Sequence, residues 1–406
     1  MLSGPLELIG CSSCGTFQRM PWIRERCVLT CVTCHTQIER NRLCSRSVTL
    51  ALSIAAFALL VPANLLPFLT TSILGTSRTS HLVSSATSMV DDGYPLLAIV
   101  IGLFVVVLPF LRFGLLIAVL GSLQIGRHRS WLGRTFRLTN ELQRWSMPDV
   151  FLLGLVVAYA RLRTSINVQV ELGADCLIAV GLLTMLVQAT LNRAAIWREI
   201  GPDRTPVNQG AMLSCPGCDL VLPVASVGNR CPRCEARLRH RKPEAMGRAL
   251  ALTLAGALLY FPANLYPIAT IPVGMTPVKY NILGGAIELI RLNLYGFAAI
   301  VVIASFAIPM LKLAGLSWCI VSVKRRSSHW LRHKTRAYRI IDEIGRWSMI
   351  DPFVIAVFVP VSHYSSLVYG HAEPAAQAFT AVVILTIVAA HCFDPRLMWD
   401  YAGKTK

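Results

Sequence analysis

Apolar residues in this chain gather in long unbroken runs instead of recurring at helical or strand period, the pattern demanded by a hydrocarbon layer about 30 Å thick. Eight runs predict eight transmembrane helices, from about Val48 to Thr70, Tyr94 to Leu123, Val150 to Arg163, Ala174 to Asn192, Arg248 to Thr270, Leu294 to Val323, Phe353 to Tyr369 and Ala375 to Phe393. The third and seventh are the shortest. Between the spans, Ile282 to Leu294 reads as an amphipathic helix lying in the membrane interface. Residues 1–47 are polar and cysteine-rich, without the basic-then-apolar opening of a signal peptide.

The pattern repeats. Pro62-Ala63-Asn64-Leu65-Leu66-Pro67 matches Pro262-Ala263-Asn264-Leu265-Tyr266-Pro267, and Pro109-Phe110-Leu111-Arg112 matches Pro309-Met310-Leu311-Lys312, at an offset of 200 residues. At an offset of 202, Arg144-Trp145-Ser146-Met147 matches Arg346-Trp347-Ser348-Met349, Asp149 matches Asp351, and Trp197 matches Trp399. The expected fold is an α-helical polytopic membrane protein of two tandem four-helix units, each preceded by a small ribbon. The expected domains are a ribbon over 1–47, a first unit over 48–200, a second ribbon over 201–246 and a second unit over 247–406. An even number of spans per unit makes this a parallel repeat.

Composition agrees and charge sets the orientation. The chain has 406 residues, 54% hydrophobic and only 15% charged, which argues against a soluble enzyme. It carries 39 Lys and Arg against 21 Asp and Glu. Of those 39, 32 fall in residues 1–47, 124–148, 193–249, 324–348 and the tail, so both termini and the central segment are expected in the cytoplasm. Topology accounts for the basic excess without nucleic acid.

The ribbons carry metal-ligand spacing. Cys215-x-x-Cys218 and Cys231-x-x-Cys234 form two knuckles twelve residues apart, with Pro216-Gly217 and Pro232-Arg233 in the turns. Such a pair places four thiolates tetrahedrally around zinc and leaves no open position for catalysis. Cys11-x-x-Cys14 and Cys31-x-x-Cys34 repeat the scheme with altered turns, and Cys27 and Cys44 lie nearby. One or two structural zinc sites are expected, in a compartment too reducing for disulfides. Rubredoxin-like iron and a redox dithiol are the other readings of the same cysteines.

Within the spans, Lys312 and Arg112 occupy equivalent places three residues after a proline. An ionised group there costs on the order of 3 kcal/mol and must face protein or water with a partner. Asp351 and Asp149 are the expected partners. A structural ion pair is one reading, and a polar pocket that holds a lipid headgroup or relays protons is the other. The repeated prolines free helix carbonyls, which Asn64 and Asn264 are placed to satisfy.

The tandem units, the Pro-Ala-Asn-Leu-x-Pro and Arg-Trp-Ser-Met-x-Asp motifs and the closing Phe393-Asp394-Pro395-Arg396-Leu397-Met398-Trp399-Asp400 together resemble the paraquat-inducible protein A family. The resemblance spans nearly the whole chain. It departs in the first ribbon and at Asn192-Arg193-Ala194-Ala195-Ile196-Trp197, which points to the C-terminal unit as the functional one. It implies a multi-pass protein of the bacterial inner membrane, partnered by a periplasmic MCE-domain protein that forms a lipid tunnel. It also implies that phospholipid passes between that membrane and the tunnel, through a pocket of Lys312 and Asp351 with Ser305, Ser348 and Thr386 as neighbours. No nucleotide-binding phosphate loop occurs. A membrane scaffold, with ribbons as docking modules, is the competing class.

Overall fold

The computed structural model describes residues 6–21, 28–40, 45–73, 76–91, 93–163, 167–201, 211–273, 276–362 and 371–403. The first ribbon is two hairpins, β1 (Leu6–Gly10) with β2 (Phe17–Pro21) and β3 (Val28–Thr30) with β4 (Gln37–Arg40). Cys27 and Cys44 lie outside the described residues.

The first unit opens with α1 (Arg46–Leu65), β5 (Leu69–Ile73), β6 (Thr76–Ser80) and α2 (Leu82–Asp91). It continues through α3 (Pro95–Ile101), a π-helical segment Gly102–Val107 and α4 (Leu108–Gln124). It closes with α5 (Trp131–Leu142), α6 (Pro148–Leu162), β7 (Asn167–Val170), α7 (Leu172–Thr190) and α8 (Arg193–Ile200). The second ribbon holds β8 (Met212–Ser214) and β9 (Val221–Pro223).

The second unit repeats the first. Its opening elements are α9 (Ala245–Leu265), β10 (Ala269–Val273), β11 (Thr276–Tyr280), α10 (Ile282–Arg291) and α11 (Tyr295–Val302). A π-helical segment Ile303–Ala307 leads into α12 (Ile308–Lys324), α13 (Leu331–Ile344) and a 3-10 turn Gly345–Met349. Then come α14 (Ile350–Ser362), β12 (His371–Ala372), α15 (Pro374–Cys392) and α16 (Arg396–Tyr401).

Among the described residues six helices are long and apolar enough to cross a membrane, two of them the 30-residue runs Pro95–Gln124 and Tyr295–Lys324. Their outer faces carry apolar side chains to lipid: Leu258, Phe261 and Leu265 are 73%, 67% and 76% exposed. The third and seventh expected spans correspond to α6 and α14, of 15 and 13 residues, short of the ~20 a full crossing needs. The chain enters α6 from inside the layer. Met147 donates its backbone N–H to the Phe104 carbonyl at 3.3 Å, level with the π segment of the neighbouring span. The expected end of the seventh span, 363–369, lies outside the described residues.

Local chemistry explains where elements stop. The first and fifth spans, expected to reach Thr70 and Thr270, end at Leu65 and Leu265, because Pro67 and Pro267 push the residue before each out of helical geometry. Thr70 and Thr270 sit in strands, paired with Thr79 and Gln169 and with Lys279 and His371. The amphipathic segment at Ile282 is helical, as expected, with Asn281 accepting from the Gly284 N–H at 2.7 Å. Pro109 and Pro309 each follow a π segment, whose wider turn gives the proline ring room against the preceding carbonyls. Asn64 and Asn264 donate to the Leu60 and Tyr260 carbonyls at 2.7 and 2.8 Å. Those are two residues beyond the carbonyls that Pro62 and Pro262 free, because a helical side chain reaches back to its own i−4 carbonyl.

Elements sort onto two faces. Arg46 at the start of α1 pairs with Glu199 of α8 and bonds Gln124 at the end of α4, so these ends share the ribbon-bearing face. The three-stranded sheets β6-β5-β7 and β11-β10-β12 mark the opposite face. The units meet along α6 and α14, where the Phe151 and Phe353 rings stand 5.4 Å apart and Gly154 lies under the Phe353 Cβ.

The ribbons are crossed. Leu213, Leu222 and the cysteines of the second ribbon share a core with Leu116, Leu132, Phe136 and Trp197 of the first unit. Gly133 of α5 touches the second ribbon so closely that a Cβ would overlap the Arg233 carbonyl. The first ribbon packs with Ala249, Leu316, Ile320 and Trp399 of the second unit, and Arg332 and Arg396 bond the carbonyls of Thr33 and Ser12.

Candidate functional site

Two tetracysteine clusters form. Cys11, Cys14, Cys31 and Cys34 are all buried, as are Cys215, Cys218, Cys231 and Cys234, and within each set the sulfurs lie within 4.8 Å of one another. Nearest Sγ pairs stand at 3.6 Å in the first cluster and at 3.5 and 3.6 Å in the second. Disulfide sulfurs would be about 2.05 Å apart. Four thiolates at about 2.3 Å from one tetrahedral ion would be separated by about 3.8 Å, so both sets fit such an ion. The altered turns of the first ribbon do not spoil it. In all four knuckles the residue after the second cysteine, Gly15, His35, Asp219 or Glu235, takes a positive φ between 54° and 80°, and this closes the loop.

The second site is inside the membrane layer. Lys312 is 1% exposed, about 18 Å by helical rise from the end of its span at Lys324. Its Nζ donates to Ser348 Oγ and Thr386 Oγ1, each at 2.9 Å. Both hydroxyls are fixed from behind, Ser348 donating to the Gly345 carbonyl at 2.8 Å and Thr386 to the Val383 carbonyl at 2.9 Å. Gly345 supplies the clearance, since a Cβ there would come within 3.0 Å of Lys312 Cε. The 3-10 turn delivers Ser348 to mid-layer.

The expected ion pairs are replaced by others. Among the described residues no carboxylate stands within ion-pair distance of Lys312. Asp351 occupies the first turn of α14, where helix N–H groups favour a carboxylate, and makes other contacts. Ser305 is fully buried in the π segment and donates to the Val301 carbonyl at 2.5 Å, not to Lys312. In the first unit, Asp149 pairs with Arg346 of the second unit and not with Arg112. Arg112 is 1% exposed, among the described residues none of its three nitrogens finds a hydrogen-bond partner, and its guanidinium lies 5.1 Å from the Phe113 ring centroid. Ser146 and Thr184, which correspond to Ser348 and Thr386, give Arg112 nothing: Ser146 Oγ is unbonded and Thr184 donates to the Val180 carbonyl at 2.7 Å. One constellation is therefore assembled in the second unit and open in the first.

Arg346 was legible only as part of a repeated motif, and its recurrence as Arg144 is the one signal that could have marked it. A cavity of about 840 Å³ on the ribbon-bearing face gave no sequence signal, since it draws on both ribbons and both units. Its lining runs from Ser12 and Gly217 past Arg144, Arg346 and Lys242 to Lys312. Lys242 Nζ donates to the His391 and Phe393 carbonyls at 2.5 and 3.0 Å. Burial lowers its affinity for the proton from the ordinary lysine value, against the pull of Asp394. Burial would raise the Asp342 carboxyl in the same cavity, but His391 at 3.4 Å, with Arg144 and Lys242, carries it below its ordinary value.

Comparison with known proteins is consistent across the chain. A family model described as "Paraquat-inducible protein A" matches residues 47–201 and 246–402. The chain is 29% identical over 402 residues to the "Intermembrane transport protein PqiA" of Escherichia coli strain K12, covering 96% of this chain and 95% of that one. It is 28% identical over 395 residues to the "Lipophilic envelope-spanning tunnel protein A" of the same strain, covering 96% and 90%. No solved structure matches it.

Proposed function

The chain belongs to the paraquat-inducible protein A family, and from that premise we propose that it is the inner-membrane component of a lipid transport system, passing phospholipid between that membrane and a periplasmic MCE-domain tunnel. The names of its relatives, an intermembrane transport protein and an envelope-spanning tunnel protein, support transport as the activity. The ribbon-bearing face is the cytoplasmic one, because most Lys and Arg lie in the segments on that side. The four domains are the two ribbons and the two four-helix units, and the second unit is the working one.

One observation carries the reading. Lys312 is buried in the layer with two hydroxyl partners and, among the described residues, no carboxylate within ion-pair distance, so a charge on it is met by hydrogen bonds alone. An ammonium has three donors. Ser348 and Thr386 use two and orient the third toward a phosphate oxygen, and an anionic headgroup supplies the missing negative charge. Asp351, one turn after Ser348, and Ser305, in the π segment before Lys312, belong to the surroundings of this pocket, whereas Arg112 and Asp149 are their counterparts in the first unit. The cysteine clusters hold zinc as structural centres. Four thiolates leave the ion no open coordination position, and the metal's contribution there is to fix the ribbons.

The test is photo-crosslinking in native membranes. A photoreactive amino acid replaces Ile308 or Leu316, one turn either side of Lys312 and both buried, or Leu311, which is 52% exposed on the lipid side. Phospholipid attached at the buried positions and lost in Lys312→Met supports the pocket. Equal labelling at all three, unchanged by Lys312→Met, refutes it and favours the scaffold.

A further inference from the structure

The large cavity on the ribbon-bearing face has a charge that topology alone does not explain. Its lining includes eleven Lys or Arg against five Asp or Glu. Part of this is settled locally: Arg241 lies across Asp400 at 2.6 and 2.7 Å, Arg396 approaches Asp394 at 3.9 Å, and Asp149 takes Arg346. Among the described residues, Arg144, Arg237, Arg239, Arg339 and Lys242 have no carboxylate within ion-pair distance, although all line this one space. The positive-inside bias puts cations on loops, but it does not point unpaired cations into a single concavity that ends at an intramembrane lysine. Concave walls of low dielectric concentrate such a field.

We propose that this cavity is a phosphate-binding vestibule, through which a phosphate-bearing ligand approaches Lys312 from the ribbon-bearing side. Guanidinium groups are planar forks of donors that match phosphate oxygens. Arg144 and Arg339 come from different units, so a phosphate held between them bridges the repeat. Past them the lining includes Gly345, Ile387 and Lys312, and among the described residues only Ser348 and Thr386 accept from the Lys312 ammonium. The crossed ribbons form the mouth, Ser12 and Ser13 from one and Gly217 and Ala236 from the other. The Lys312 end of this route rests on the pocket proposed above, whereas the vestibule itself stands on its own cations. The phosphate belongs either to a lipid headgroup or to a soluble molecule.

The full chain in nanodiscs of neutral phosphatidylcholine separates these sources. Retention of added phosphatidylglycerol is counted by native mass spectrometry, and binding of radiolabelled inorganic phosphate is measured by equilibrium dialysis. Arg144→Gln with Arg339→Gln, and separately Arg237→Gln with Arg239→Gln, are compared with wild type at matched thermal stability. The vestibule predicts about tenfold weaker binding of one probe in each double variant. Loss of phosphatidylglycerol retention that inorganic phosphate does not compete identifies a lipid headgroup. Saturable phosphate binding that is lost in the variants identifies a soluble source. Wild type and both variants binding each probe equally overturns the vestibule, and crosslinking beside Lys312 would remain an independent measure of the pocket.

Discussion

Asp149 of the first unit and Arg346 of the second form an ion pair across the repeat, with side chains 4% and 19% exposed. Each belongs to a motif present in both units, and Asp149 is in the first turn of α6, the helix that packs on α14. The pair therefore ties the dip before α14 in one unit to the start of α6 in the other.

Replacing Asp149 leaves Arg346, a partly exposed cation at the cavity wall, without its carboxylate. Asp149→Asn should destabilise the protein by about 1–3 kcal/mol, and adding Arg346→Met should recover most of the loss. A double-mutant cycle on thermal unfolding in detergent measures the coupling, and additive single effects would show the pair to be idle.

Lys312 and Arg112 should separate function from stability. Lys312→Met removes the donor held by Ser348 and Thr386 and should abolish lipid flux between reconstituted membranes and acceptor. Arg112→Met replaces a buried guanidinium that has no hydrogen-bond partner among the described residues and should stabilise the fold by about 1–4 kcal/mol. A melting temperature lowered by Arg112→Met would mean that its charge is being used.

The ribbons should hold two metal ions per chain, one in each cluster. Cys11→Ser should halve the zinc measured by elemental mass spectrometry. Because the first ribbon packs on the second unit, hydrogen exchange should then rise around Leu316 and Ile320 and not around Leu116. The opposite pattern would contradict crossed packing.

Docking of the second ribbon depends on Gly133, which has no room for a methyl group against the Arg233 carbonyl. Gly133→Ala should expose the ribbon to limited proteolysis while its metal stays bound. Gly121→Ala, on a neighbouring helix with open space around it, is the control.

Acid should weaken the contact between Asp342 and His391. The folded state holds the Asp342 carboxyl below its ordinary value, so its contribution is present above the unfolded pKa of about 3.9 and is lost as pH falls through the folded value. Wild type should melt above Asp342→Asn at pH 6, and the two should converge below about pH 4.

Much was legible in the sequence because membranes impose simple local rules. Run length gave the long spans, cysteine spacing gave both tetracysteine clusters, and two motifs at fixed offset gave the repeat. Ser348 and Thr386 were named beside Lys312 from motif position and are its partners. The carboxylates were misassigned because sequence proximity placed Asp149 with its own unit, whereas Arg346 reaches it from the other.

The sequence by itself determined the long spans, the two tetracysteine clusters and the duplicated intramembrane cation, since each depends on residues close in the chain or on bulk hydrophobicity. Tertiary structure alone decided the crossed ribbons, the dip that brings Ser348 to Lys312 and the cavity shared by both units. Those depend on which surfaces fit when two similar units pack side by side. Helix faces in lipid differ little in hydrophobicity, so shape and hydrogen bonding choose among them.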